Sequence, residues 1–207
     1  MAGRESCKYT KWSETIMQKL ILIGGGGHCK AVIDVIEQEA KYTIAGIIDQ
    51  KELIGQEVLG YKVIGCDNDL KNLFKEYTYA FVAIGQLRSN VLRVKLFNQL
   101  KDIGYTLPCI ISPLAYVSKH AIVEEGTVIM HHALVNAEAK IGKNCIINSK
   151  SLIEHDAIVE DHCHISTATV INGGVVVKSN SFIGSNTTTK EYIEIEGFVR
   201  AGGIKDA

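Results

Sequence analysis

The stretch "IEHDAIVEDHCHIST" (153–167) gathers three histidines, His155, His162 and His164, and four carboxylates into fifteen residues. Such side chains can hold a metal ion, move a proton or simply face solvent. An imidazole titrates near neutrality, so one beside a carboxylate, as His155 is beside Asp156, can serve as a general base of fixed tautomer. A second group with chemical potential is the loop "GGGGHC" (24–29). Its glycines let backbone amides approach a phosphate, and the helix start that follows adds positive potential. Asp49, after the next apolar run, stands where a dinucleotide fold bonds a ribose hydroxyl. The NAD fingerprint wants a further glycine at position 29, where Cys29 stands, and His28 lies on the path of a pyrophosphate. A nucleotide or nucleotide sugar is favoured over NAD, with a purely structural tight turn as the alternative.

The elements that must carry these residues fall into two patterns. From Met17 to Gly104, apolar runs ending in glycine or acid ("KLILIG", "YTIAGIIDQ", "YAFVAIG") alternate with helical stretches ("CKAVIDVIEQEA", "DNDLKNLFKEY", "NVLRVKLFNQLKDIG"). This predicts an α/β Rossmann-like domain over 17–110, a small open parallel sheet with its ligand beyond the carboxyl ends of the strands. In the second half, counting in sixes from Val117 to Ile183 meets valine or isoleucine at all twelve positions. Four residues after each stands a small or β-branched residue, from Ala121 to Thr187. A hexapeptide repeat of this kind predicts a β-helix over 111–207, three hexads to a coil, whose rungs must stack to bury their faces.

Stacking turns sequence distance into position. Residues 18 apart lie above one another, so His155 falls between Ala137 and Gly173, beside a ladder of Asn136, Glu154 and Asn172. Cys163 takes an inward small position while His162 and His164 point outward, which argues against zinc and for no metal at all. His131 and His132 read as a solvated or intersubunit surface.

Composition narrows the function classes. Lys plus Arg number 22 against 23 Asp plus Glu, a formal charge of −1 with no basic block, which argues against a nucleic-acid surface or a polybasic membrane patch. No apolar run reaches the length of a membrane span. Six scattered cysteines read as reduced thiols of a cytoplasmic protein. Residues 1–16 are polar and unpatterned, and Met17 reads as the natural start, with 1–16 a leader or appended extension.

The combination of "KLILIGGGGHCKAVIDVI", "FVAIG", Ser112-Pro113 and "NSKSLIEHDAIVEDHCHIS" resembles the bacterial sugar acetyltransferases of the sialic-acid, legionaminic-acid and bacillosamine pathways. The resemblance implies a left-handed parallel β-helix, a homotrimer, and acetyl-CoA as co-substrate. It implies His155 as general base oriented by Asp156, His164 near the thioester end of the cofactor, and Gly173 offering an amide to the acetyl carbonyl. Gly24, Gly26, His28 and Asp49 are implied to bind the nucleotide sugar. The chain departs from the family at Ser112, where relatives usually carry histidine, and at Gln50, where a second acid is frequent. It also ends at "AGGIKDA", short of the usual terminal segment. The expected reaction is direct acetyl transfer to the amine of a UDP-activated amino-dideoxy sugar in surface-glycan biosynthesis. O-acetylation of a sialic-acid-like sugar and a non-catalytic trimeric β-helix that only binds a nucleotide sugar stand as alternatives.

Overall fold

The computed structural model of the chain describes residues 17–86 and 89–205, so the polar leader lies outside the described residues. The α/β unit runs β1 (Gln18–Ile23), α1 (Gly27–Glu39), β2 (Tyr42–Ile48), β3 (Glu57–Val58), β4 (Tyr61–Gly65), α2 (Leu70–Leu73), β5 (Tyr79–Val82) and α3 (Val91–Ile103). Its sheet has the order β3-β4-β2-β1-β5, parallel except for β3. Leu20 to Ile23 of β1 are buried on both faces, as a central parallel strand requires.

Two elements differ from the sequence expectation. The β3–β4 hairpin was not anticipated, because its two-residue turn is Leu59-Gly60. Both residues have positive φ (+49° and +84°), a conformation usually advertised by Asn-Gly or Asp-Gly and here occupied by a leucine. The "DNDLKNLFKEY" helix shrinks to a 3₁₀ turn at Asp67–Asp69 and the single turn of α2. The Asp69 carboxylate accepts from the Cys66 amide at 2.9 Å and fixes that turn.

The second half is a left-handed β-helix of two-residue strands, β6 (Ile110–Ile111) to β22 (Ile204–Lys205), in three parallel faces of six, five and six strands. Partners lie 18 residues apart, as in Leu134↔Leu152↔Val170. The register is the one counted from Val117, and it begins one hexad earlier, at Ile111. Near the end one corner is two residues shorter, so that Phe182 pairs with Phe198 and Thr188 with Ile204. The small residues of the hexad do more than fit a tight corner. Thr127, Cys145, Ser151, Cys163 and Thr169 each donate to the carbonyl fifteen residues on, at 2.7–3.1 Å, which satisfies buried backbone oxygens.

Each coil turns its corners through residues with φ near +60°, among them His132, Glu138, Asn144, Lys150, Asp156, His162 and Ala168. The first face, made of β6 and then β9 (Val128–Ile129), β12 (Ile146–Ile147) and β15 (His164–Ile165), carries outward Ile110, Val128 and Ile146. These join Val32, Ile33 and Val35 of α1 in one shared core, so the α/β unit is seated on this face. The second face, beginning with β7 (Tyr116–Val117), presents Tyr116, Leu134, Leu152 and Val170 outward, Tyr116 exposed and the other three half-buried among the described residues.

Candidate active site

The turn after β13 (Leu152–Ile153) carries His155 and Asp156 at the corner between the second and third faces. Asp156 has φ +61°, and this left-handed step swings its carboxylate back to the preceding ring. Asp156 Oδ2 lies 2.8 Å from His155 Nδ1. The pairing puts the proton on Nδ1 and leaves Nε2 as the acceptor. The hydrogen bond to Asp156, with the charges of Asp156 and Glu154 adding to it against some desolvation, raises the His155 pKa above its ordinary value. The ring is 54% exposed and reachable. Asn136 Nδ2 donates to Glu154 Oε2 at 2.8 Å, and the same oxygen accepts the His155 amide at 3.2 Å. One coil up, a Cβ on Gly173 would stand 2.9 Å from His155 Cε1 and 3.0 Å from Nε2, so only glycine leaves room for the imidazole.

The second constellation lies where the two domains meet. A cavity of about 820 Å³ is lined by Gly24 to His28, Asp49, Gln50, Ala83 to Gln86, Asn148 and His164. Gly24 has φ +96°, and a side chain there would run into Ile84. Gly26, at the N-cap of α1, has an ordinary φ and open space where a Cβ would stand. The space beside the loop at Gly26 is therefore open to the cavity. Asp49 accepts the Gly25 amide at 2.5 Å and the Gln50 amide at 2.7 Å, tying the loop to the end of β2. A smaller recess of about 410 Å³, lined in part by Gly24, Asp49, Gln50, Asp67 and Asn68, continues this trough past the glycine loop.

His28 and His164 face the larger cavity as neutral rings. Burial, reinforced by the Arg93 charge, lowers His28 to about 4, and its buried Nε2 has no hydrogen-bond partner among the described residues. Burial likewise lowers His164 to about 4, against the pull of its backbone hydrogen bond. His164 Nδ1–H donates to the Gln86 carbonyl at 2.9 Å, and Nε2 lies 3.3 Å from Asn148 Nδ2. His164 therefore borders the glycine-loop cavity of its own chain, whereas His155 stands at a different corner. His162 goes elsewhere again, to Asn144 Nδ2 at 3.0 Å and edge-on to Phe97. The three histidines of the opening stretch thus serve three environments, and among the described residues no group of three His, Cys, Asp or Glu is placed to hold a metal ion.

Several residues escaped the sequence reading. Arg93 of α3 is 1% exposed and drives its guanidinium into the domain seam, donating to Gln86 Oε1 (2.7 Å), the His162 carbonyl (2.7 Å) and the Asn144 carbonyl. Burial lowers its pKa to about 10. The signal was present: Arg93 lies three, four and seven residues before Leu96, Phe97 and Leu100, on the apolar face of the helix. His131 is not a freely solvated group: its side chain is 19% exposed and held within the chain. Its Nδ1 lies 2.6 Å from Ser112 Oγ and its Nε2 2.7 Å from Asp34 Oδ2, a relay across the seam from the β-helix to α1. No helix among the described residues is long and apolar enough to cross a membrane.

Comparison with known proteins agrees with this architecture. Residues 19–100 match the PglD N-terminal domain. The chain is similar to perosamine N-acetyltransferase from Caulobacter crescentus, solved as a His-to-Asn variant in complex with CoA and GDP-perosamine. The two share 34% identity over 90% of this chain and 87% of that one, with a TM-score of 0.84. It is also similar to the acetyltransferase domain of PglB from Neisseria gonorrhoeae in complex with acetyl coenzyme A, at 28% identity over 92% and 94% of the chains and a TM-score of 0.82. With that identity carried across both domains, the chain belongs to the PglD family of bacterial sugar acetyltransferases, enzymes that take their acyl group from acetyl-CoA.

Proposed function

We propose that the protein acetylates the amine of a nucleoside-diphosphate amino-dideoxy sugar by direct transfer from acetyl-CoA, with His155 as general base. The observation that carries this reading is the His155–Asp156 pair held against Gly173. As the sugar nitrogen bonds to the acetyl carbon, it gives up a proton to His155 Nε2. Asp156 stabilises the resulting imidazolium. The Gly173 amide steadies the oxyanion, and collapse breaks the C–S bond, so that coenzyme A leaves as thiolate and is reprotonated. Diphosphate would lie on the Gly26 and Gly27 amides at the start of α1, with Gly24 shaping the loop, His28 beside it and Asp49 holding the Gly25 amide in place. The base would occupy the smaller recess and the sugar the larger cavity.

A homotrimer supports this chemistry. Asn148 and His164, on the cavity side, and His155 flank opposite ends of the second face, so one chain does not deliver its own sugar to its own base. The outward ladder of Tyr116, Leu134, Leu152 and Val170 suits burial between copies. Closing three such faces around an axis sets His155 of one protomer at the mouth of its neighbour's cavity. His164 then meets the arriving thioester as well as the sugar.

The nucleotide is read as UDP. GDP is the competing reading, favoured by the nucleotide in the Caulobacter relative's complex. Use of acetyl-CoA makes the cytoplasm the compartment. Assaying acetyl transfer against matched UDP- and GDP-linked 4-amino sugars and CMP-linked sialic acids tests the whole. Turnover of a nucleotide-linked amine is expected, and turnover of the sialic acid hydroxyl alone would replace this reading with O-acetylation.

A further inference from the structure

The corner that carries His155 continues upward. Its left-handed positions are Glu138, Asp156, Gly174 and Tyr192, one per coil. Gly174 has φ +66°, but equivalent turns hold Lys150 (+61°), His162 (+62°) and Asn180 (+66°), so the backbone does not call for glycine there. The ring of Tyr192 does: a Cβ on Gly174 would collide with its Cδ1 and Cε1. The phenol therefore lies down over the turn, anchored by its own amide, which donates to the Gly173 carbonyl at 3.0 Å. Gly173 and Gly174 are thus held between the imidazole of His155 below and the ring of Tyr192 above. Tyr192 has φ +53°, rare for a bulky residue, and is 76% exposed. The corner thus displays an aromatic face that the other described residues leave bare.

We propose that Tyr192 is the platform for the pantetheine arm of acetyl-CoA as it leaves the acyl group at Gly173. This rests on the reading of His155 and Gly173 as the transfer point. Geometry sets the direction of the arm: above His155 come two glycines and the Tyr192 ring, with Lys190 and Glu191 beside it, whereas the turn below carries Glu138. Amide and methylene groups of the arm suit an aromatic face.

The test is calorimetric titration of coenzyme A into the intact protein, with steady-state kinetics and light scattering in parallel. Tyr192→Ala is expected to weaken coenzyme A binding and raise the acetyl-CoA KM by roughly three- to tenfold, with the sugar KM and the assembly unchanged. Tyr192→Phe should recover the affinity. Gly174→Ala, which keeps the phenol but displaces it, should reproduce the defect. Unchanged coenzyme affinity in Tyr192→Ala would overturn the assignment, as would dissociation of the oligomer, which would make Tyr192 a subunit contact. If the wild-type protein binds no coenzyme A, the proposed function falls instead.

Discussion

His155 and His164 are nine residues apart, half a coil of the same β-helix, and their surroundings push them in opposite directions. His155 stands exposed at a corner with Asp156 on Nδ1, and its pKa rises. His164 is 5% exposed, pinned by Gln86 and Asn148, and its pKa falls to about 4. In the proposed mechanism the first ring takes a proton through Nε2. The second is built to stay neutral as a fixed donor and acceptor. Identical side chains therefore acquire different chemistry from burial and from the partner on Nδ1.

The sharpest way to break this contrast is to remove each ring. His155→Ala is expected to lower kcat by the ~10²–10⁴-fold typical of a lost general base, with coenzyme A affinity little changed. His164→Ala should act mainly on KM. An essential His164 beside a dispensable His155 in steady-state assays would reverse the assignment.

Next in size is the glycine loop. Gly26→Val fills open space at the proposed phosphate site, while Gly24→Val breaks the loop against Ile84. Losing amide–phosphate hydrogen bonds should raise the sugar KM by roughly 10–100-fold in Gly26→Val without lowering Tm. Gly24→Val should lower Tm as well. A Gly26→Val enzyme that loses acetyl-CoA affinity instead would show that the two ligands have been given to the wrong domains.

The pH profile separates the rings more finely. A base must be neutral to accept, so kcat should rise with pH through a pKa above the ordinary histidine value, because Asp156 holds the proton on. Asp156→Asn tolerates the φ of +61° and weakens that hold, so the acid limb should move to lower pH. An unmoved limb would remove Asp156 from the mechanism. His28 and His164 act on stability with the opposite sign. Their folded pKa values lie below the unfolded value, so their stabilisation is complete above about pH 6.5 and is lost as pH falls toward about 4. Between pH 7.5 and 5 the cost is on the order of 2 kcal/mol per ring, to be read from urea midpoints. A His28→Gln, His164→Gln double variant should lose most of that pH dependence.

The difference in assembly also decides what could be read from the chain. The β-helix repeats every six residues, so the inward positions from Val117 to Ile183, the stacking of Gly173 over His155 and the inward Cys163 all follow from counting. The cavity joins segments with no common period: the glycine loop, the end of β5, Asn148 and His164. Its residues Gly24, Gly26, His28 and Asp49 came from loop chemistry and family likeness, and Gln86 and Asn148 were not found. The β3–β4 turn stayed hidden because Leu59 occupies a position that glycine or asparagine usually marks. His131 looked like surface because its partners, Asp34 and Ser112, lie 97 and 19 residues away in sequence.

That relay supplies the smallest expected effect, and it asks what joins the two regions. The seam is apolar, with Ile110, Val128, Met130 and Ile146 of the β-helix buried against Val32, Ile33 and Val35. The polar tie from Ser112 through His131 to Asp34 ends on a carboxylate that is 54% exposed. An ion pair or hydrogen bond at such a site contributes about 0.2–1 kcal/mol, which in a chain of 207 residues moves Tm by a few degrees at most. Asp34→Ala should therefore leave kcat and both KM values as they were and lower Tm slightly. Ser112→Ala should cost more, since it leaves the His131 Nδ1 lone pair without its donor inside the seam. A large loss of activity in Asp34→Ala, with Tm intact, would mean that the relay and not the apolar seam sets the distance between the cavity and the catalytic corner.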